Sequence, residues 1–291
     1  MTEHEPTGAD PSPSGPDAPP TPLHVEERGD PAAPVVVLVH GSMDRGSGMA
    51  RVARHLEDRY RVVAYDRRGY GRSLRVPGPR TADANVEDLI EVLGGRRGLV
   101  FGHSVGGTFA LAAAQRRPDL VRAVGVYEAP MYWEPWWPSD TTGKVVLGAA
   151  GQGDAAAEDA AEGFMRRLLG DERWERLPSG SRADRRSEGP ALVAEMADLT
   201  RGAPYEANAI RVPVLVVRGE QSKGHHRNAA GVLAERVASP ERGAASEFLE
   251  LPGVSHGLHL QDPEAFAALV DRLAALADAV EAAEAGSEPP S

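Results

Sequence analysis

The chain has 291 residues, 41% of them hydrophobic, which is enough for one substantial buried core carrying insertions. Its net charge of −11 provides no basic face for nucleic acid or for an anionic membrane surface, and with no cysteine it has neither disulfides nor thiolate metal sites. A small molecule is therefore the expected partner, with no nucleic acid and no membrane, and the composition leaves the oligomeric state open.

Residues 1–22 are rich in Pro, Ser, Gly, Asp and Glu without an apolar run, and read as a disordered tail. They have neither the basic region nor the apolar stretch of a secretion signal, so the expected location is cytoplasmic. Order begins at Leu23, where Leu23 to Gly29 alternates weakly as an edge strand does. Val35 to Val39 is apolar on both faces and predicts a covered central strand ending at His40-Gly41. Helical spacing follows at Met49, Val52, Ala53 and Leu56, then a second buried strand over Arg61 to Tyr65 leads into Asp66 to Ser73, DRRGYGRS. A helix fits Ala84 to Leu93.

Leu99-Val100-Phe101 stops at Gly102-His103-Ser104-Val105-Gly106, and an alanine-rich helical pattern starts at once. This strand, sharp turn and helix is the setting that the G-x-S-x-G nucleophile elbow demands, with Ser104 at its apex. The pentapeptide alone is only a glycine-rich turn; its placement gives it meaning. Val121 to Tyr127 is a further strand, after which the alternation of strand and helix is lost. Residues 131–210 hold Trp133, Trp136 and Trp137 beside two prolines, then helical stretches over Asp154 to Leu169, Asp171 to Leu177 and Pro190 to Thr200. We read this segment as a helical lid between two parts of one core, 23–130 and 211–284. Strands return at Val212 to Val217 and Glu247 to Leu251, and a last helix starts with Asp262 as N-cap and Pro263 at its first position. Residues 285–291 read as a frayed end. The whole is a mostly parallel sheet with helices on both faces.

Four motifs in order, His40-Gly41-Ser42, Asp66 to Ser73, the elbow at Ser104, and Gly253-Val254-Ser255-His256, give a chain that resembles the α/β-hydrolase superfamily from about Leu23 to Glu284. The resemblance implies an eight-stranded sheet whose second strand is antiparallel, and a catalytic triad. It implies His256 as general base, in preference to His259, and an oxyanion hole made by the amides of Val105 and Ser42, with Met43 as the alternative to Ser42. His40, His103 and Asp66 take structural roles. The commoner position for the acid, three residues after Gly219, holds Ser222, which cannot stabilise an imidazolium. Glu128, at the exit of the preceding strand, is the preferred acid and Glu220 the alternative.

Such a site attacks a carbonyl with Ser104 and releases the acyl group to water, which fits esters, thioesters and related acyl bonds and requires no metal or organic cofactor. Trp133, Trp136 and Trp137 are candidates to line an apolar substrate pocket or to pack the lid onto the core. His225 and His226 are expected in a polar loop, solvated, with no ligand spacing around them. The same fold also serves non-catalytic receptors, cofactor-free oxygenases and perhydrolases, which stand as the alternative to a hydrolase.

Overall fold

The computed structural model describes residues 23–240 and 243–287. Seven strands form one sheet: β1 (Val25–Arg28), β2 (Val35–Val39), β3 (Arg61–Tyr65), β4 (Gly98–His103), β5 (Val121–Tyr127), β6 (Val214–Gly219) and β7 (Ser246–Leu251). Their order across the sheet is β1-β3-β2-β4-β5-β6-β7, and only the pairing of β1 with β3 is antiparallel. The expected eight strands are thus seven among the described residues, because the antiparallel strand itself forms the edge.

The alternation of side chains sorts the core into two layers. Val37, Val39, Val63, Tyr65, Val100, Val124, Val126, Val214 and Val216 face one side. Helices α2 (Ala82–Leu93), α3 (Val105–Arg116) and α9 (Gly224–Val237) contribute to that layer. Val36, Leu38, Val62, Ala64, Leu99, Phe101, Leu215 and Val217 face the other, against α1 (Ala50–Arg54), α10 (Leu258–Gln261) and α11 (Pro263–Ser287). The apolar runs of β2 and β4 are buried from end to end because helices cover both faces.

Asp262 caps α11 as its sequence predicts, its Oδ1 accepting from the Ala265 amide at 3.0 Å. This helix continues through Ser287, past the boundary expected at Glu284, while residues 288–291 and the expected tail 1–22 lie outside the described residues. Among the described residues no helix is long and apolar enough to cross a membrane.

Between β5 and β6 the chain forms only helices: α4 (Thr142–Val145), α5 (Asp154–Leu169), α6 (Asp171–Arg176), α7 (Ser179–Ser187) and α8 (Gly189–Leu199), with short 3-10 turns. Helix α7 escaped the sequence reading because none of its residues is buried, so it shows no apolar stripe. Helix α9 corrects an expectation. His225 and His226 lie in its first turn and not in a loop, and Ala229, Ala230, Leu233 and Val237 hold it to the core at helical spacing.

Candidate active site

Three non-glycine residues among those described have a positive φ: Met43 at 55°, Ser104 at 53° and Glu128 at 54°. Each costs on the order of 1–3 kcal/mol, and such strain gathers where the surrounding fold fixes a side chain for use. All three stand at the carboxyl ends of neighbouring strands, after β2, β4 and β5.

Ser104 occupies the N-cap of α3, its amide donating to Tyr127 O at 2.9 Å. The two glycines of the motif serve close approach of backbones. A Cβ on Gly106 would lie 2.3 Å from Val39 O, and one on Gly102 would lie 2.4 Å from the Gly107 backbone. A Cβ on Gly41 would come within 3.0 Å of Ser104 Cβ, so the loop after β2 passes directly beside the serine. No acceptor for the Val105, Ser42 or Met43 amide and no partner for Ser104 Oγ is present among the described residues. The Val105 amide is free because it stands in the first turn of α3 and has no carbonyl one turn back, whereas Ser42 and Met43 belong to the loop after β2.

The Glu128 carboxylate is fully buried. Its Oε2 meets His256 Nδ1 at 2.6 Å, and its Oε1 accepts from the Gly219 amide at 2.7 Å. Its own amide donates to Val217 O at 3.0 Å, which turns the chain out of β5 and aims the side chain across the end of β6. Glu220 does otherwise. It is exposed and accepts from the Gly253 amide at 2.8 Å, bracing the turn before His256 without reaching the ring. That turn is held further by Tyr127 Oη donating to Ser255 O and by His103 Nε2 donating to His256 O, both at 2.8 Å. His259 is turned to Asp44, 3.0 Å away. Burial works to raise the Asp44 carboxyl, but the hydrogen bond and charge of His259 outweigh it and hold the carboxyl below its usual range.

Of the three tryptophans, only Trp137 joins the row of imidazoles that runs through His226 to His256 and on to His103 and His259. Its ring meets those of His225 and His226 edge-on at 4.9 and 5.6 Å, and His226 stacks on His256 at 4.1 Å. Burial, then the charges of His256 and His225, keep the His226 imidazole well below its usual pKa. Trp133 packs at right angles on Tyr205, and Trp136 lies against Trp137.

The loop after β2, residues 40–45, is tied to the helical insertion by a buried ionic network that the sequence reading missed. Arg67 and Glu195 pair with almost no exposure, and Ser42 Oγ donates to Glu195 Oε1 at 2.6 Å. Arg67 also donates to His40 O at 3.0 Å and to Gly41 O at 3.1 Å. Glu188 receives Arg45 at 2.7 Å, Arg185 at 3.2 Å and the Gly71 amide at 2.9 Å, while Arg185 also reaches Met43 O. Asp66 accepts from the Gly46 and Arg72 amides, so DRRGYGRS is a tie between loops. A buried charge is stable only when paired, and Glu188 and Glu195 on the insertion are the acids that these arginines require. A polar cleft of about 390 Å³ lies beside this network, between Arg45, Asp66, Arg72 and Asp184, and includes none of Ser104, Glu128 and His256.

His40 sits in the same network, accepting from the Arg67 amide on Nε2 and donating from Nδ1 to Gly41 O. Burial, reinforced by the Arg67 charge, pushes it down to about 3. The unfolded chain takes up this proton near an ordinary histidine pKa of about 6.5, so stability is full above that pH. It falls as pH drops toward 3, by up to about 1.4 kcal/mol per pH unit. His103 is held down by burial too and adds to the slope. The melting temperature should decline between about pH 7 and about pH 5; a level profile would show that these histidines are not buried in their neutral form.

A parallel sheet, an insertion after its fifth strand, and a serine, histidine and carboxylate gathered at the strand ends define a class. Residues 36–269 match the model of the alpha/beta hydrolase family, and the chain belongs to that family. It is 32% identical over 168 residues to a proline iminopeptidase of Xylella fastidiosa, covering 53% of this chain and 54% of that one, so the match spans about half of that relative. A 2-(acetamidomethylene)succinate hydrolase of Mesorhizobium japonicum is 29% identical over 251 residues, covering 83% of this chain and 87% of its own. The crystal structure of an enol-lactonase from Burkholderia xenovorans superposes with a TM-score of 0.66 at 24% identity, over 87% of this chain and 96% of that one, which is a likeness of fold.

Proposed function

We propose that the protein is a serine hydrolase that cleaves an ester, thioester or related acyl bond of a small apolar molecule through an acyl-enzyme on Ser104. The observation that carries this reading is the 2.6 Å bond between Glu128 and His256 Nδ1, made by a buried carboxylate beside a strained serine. With Nδ1–H donating to Glu128, the lone pair of the neutral ring is on Nε2, where a base must have it. His256 then takes the Ser104 proton as Oγ attacks the carbonyl, and Glu128 stabilises the imidazolium that forms. The Val105 amide and that of Ser42 or Met43 receive the oxyanion. His256 returns its proton to the leaving group, and water repeats the sequence to free the acid. The serine and histidine close their hydrogen bond when substrate arrives, since such bonds are often long in substrate-free enzymes and tighten in the complex.

The substrate class rests on the neighbours of the site. Among the described residues, the guanidinium groups that touch the 41–45 loop are committed to buried glutamates, Arg67 to Glu195 and Arg45 and Arg185 to Glu188, which favours an uncharged acyl group. We also propose that the insertion acts as a lid and that Trp137, alone of the three tryptophans, borders the acyl pocket. Assay of chromogenic esters and thioesters of graded acyl length tests both ideas. Hydrolysis of none of them would sink the proposal. Trp137→Ala should change the preference among acyl lengths by about tenfold or more, whereas Trp133→Ala should lower the melting temperature and leave that preference unchanged. Equal losses across all lengths in Trp137→Ala would make this residue a packing element.

A further inference from the structure

We infer that Glu128, His226 and His256 form a binding site for a divalent transition-metal ion of the zinc type, and that its occupancy switches hydrolysis off. One ligand atom from each of the three residues lies within 4.8 Å of the other two. Two imidazoles and a carboxylate are a donor set suited to zinc, cobalt or nickel and poorly suited to magnesium or calcium. His226 supplies the independent sign. Its Nδ1 is buried and has no hydrogen-bond partner among the described residues, although the ring stacks on His256 with an interplanar angle of 17°. An unpartnered buried ring nitrogen costs on the order of 1–3 kcal/mol, a cost that a metal bond removes.

Ligands placed about 2.0–2.1 Å from zinc in a tetrahedron stand roughly 3.3 Å apart. The Glu128–His256 pair therefore opens slightly from 2.6 Å, and His226 closes on them by rotation of its side chain. The metal takes Nδ1, the His256 nitrogen that faces Glu128. It displaces the proton shared with Glu128, which moves through solvent to Nε2, so the ring has no lone pair left for Ser104. The ion thus silences the base without touching the serine. The adjacency of His225 and His226 is incidental: on α9 only His226 joins Glu128 and His256, which is why a sequence reading of the pair finds no site.

The full-length protein, stripped with a chelator, should bind one equivalent of cobalt with the intense visible bands of four-coordinate Co²⁺, and zinc should displace it. His226→Phe keeps a ring against His256 but removes both nitrogens, and should weaken cobalt binding by at least about tenfold. His225→Phe should bind as wild type. If His226→Phe fails to fold, as judged by melting, His226→Asn provides the same comparison. Wild-type affinity in the His226 variant, or no stoichiometric binding to the parent protein, would overturn the site. The switch, unlike the site, rests on the serine-hydrolase reading. Zinc should block fluorophosphonate labelling of Ser104 in the parent and not in His226→Phe. Binding without a block would overturn the switch, whereas metal-free protein that never labels would overturn the hydrolase reading and leave the metal site standing.

Discussion

Ser104→Ala should abolish hydrolysis of any ester or thioester on which the parent protein is found to act, by at least about a thousandfold in turnover, with the fold retained. The loss is large because no other hydroxyl occupies the elbow. Oxyanion donors alone have nothing to stabilise until a nucleophile has attacked. The fold survives because Ser104 Oγ bonds to nothing among the described residues, and alanine meets the same φ of 53° that serine already tolerates. Melting within a few degrees of the parent together with activity above about a hundredth would place the nucleophile elsewhere.

The second large effect is at Glu128. In Glu128→Gln the side chain keeps its volume and its acceptor for the Gly219 amide, but presents an NH₂ group to His256 Nδ1. The ring must then accept on Nδ1 and carry its proton on Nε2, the wrong tautomer for a base. The expected cost is on the order of a hundredfold or more in turnover. Glu220→Gln should change turnover little, because that exposed carboxylate braces the Gly253 amide and leaves the ring alone. Both variants need melting curves in parallel, since a buried carboxylate also supports stability. A crippled Glu220→Gln beside a healthy Glu128→Gln would transfer the acid to the later strand.

The chain's covered strands were legible because hydrophobic runs such as Val35 to Val39 can form nothing else between a turn and a glycine. The elbow was legible because the G-x-S-x-G spacing records a steric need, met at Gly102 and Gly106 by backbones that pass too closely for a Cβ. Glu128 could be noticed as a carboxylate interrupting an apolar strand exit, whereas its positive φ and its bond to the Gly219 amide are properties of the folded chain. Residues that act across long sequence distances left no local trace. Glu195 lies on an insertion helix whose other buried positions are mostly apolar, and its partner Arg67 is 128 positions away. The signal was an arginine close behind the apolar strand Arg61 to Tyr65, which needs an acid if the fold buries it, without saying which one. His226 was misread for a related reason: the opening turn of α9 is polar, and its apolar spacing begins only at Ala229.

The central claim is that Ser104 is a nucleophile activated by the Glu128–His256 pair. The most direct measurement is labelling of the chelator-treated protein with a fluorophosphonate, with the modified residue located by peptide mass spectrometry. Stoichiometric phosphonylation at Ser104, strongly slowed in Glu128→Gln and near normal in Glu220→Gln, is the predicted result. No label at Ser104 on the folded parent protein, or equal labelling rates in the parent and Glu128→Gln, would contradict it.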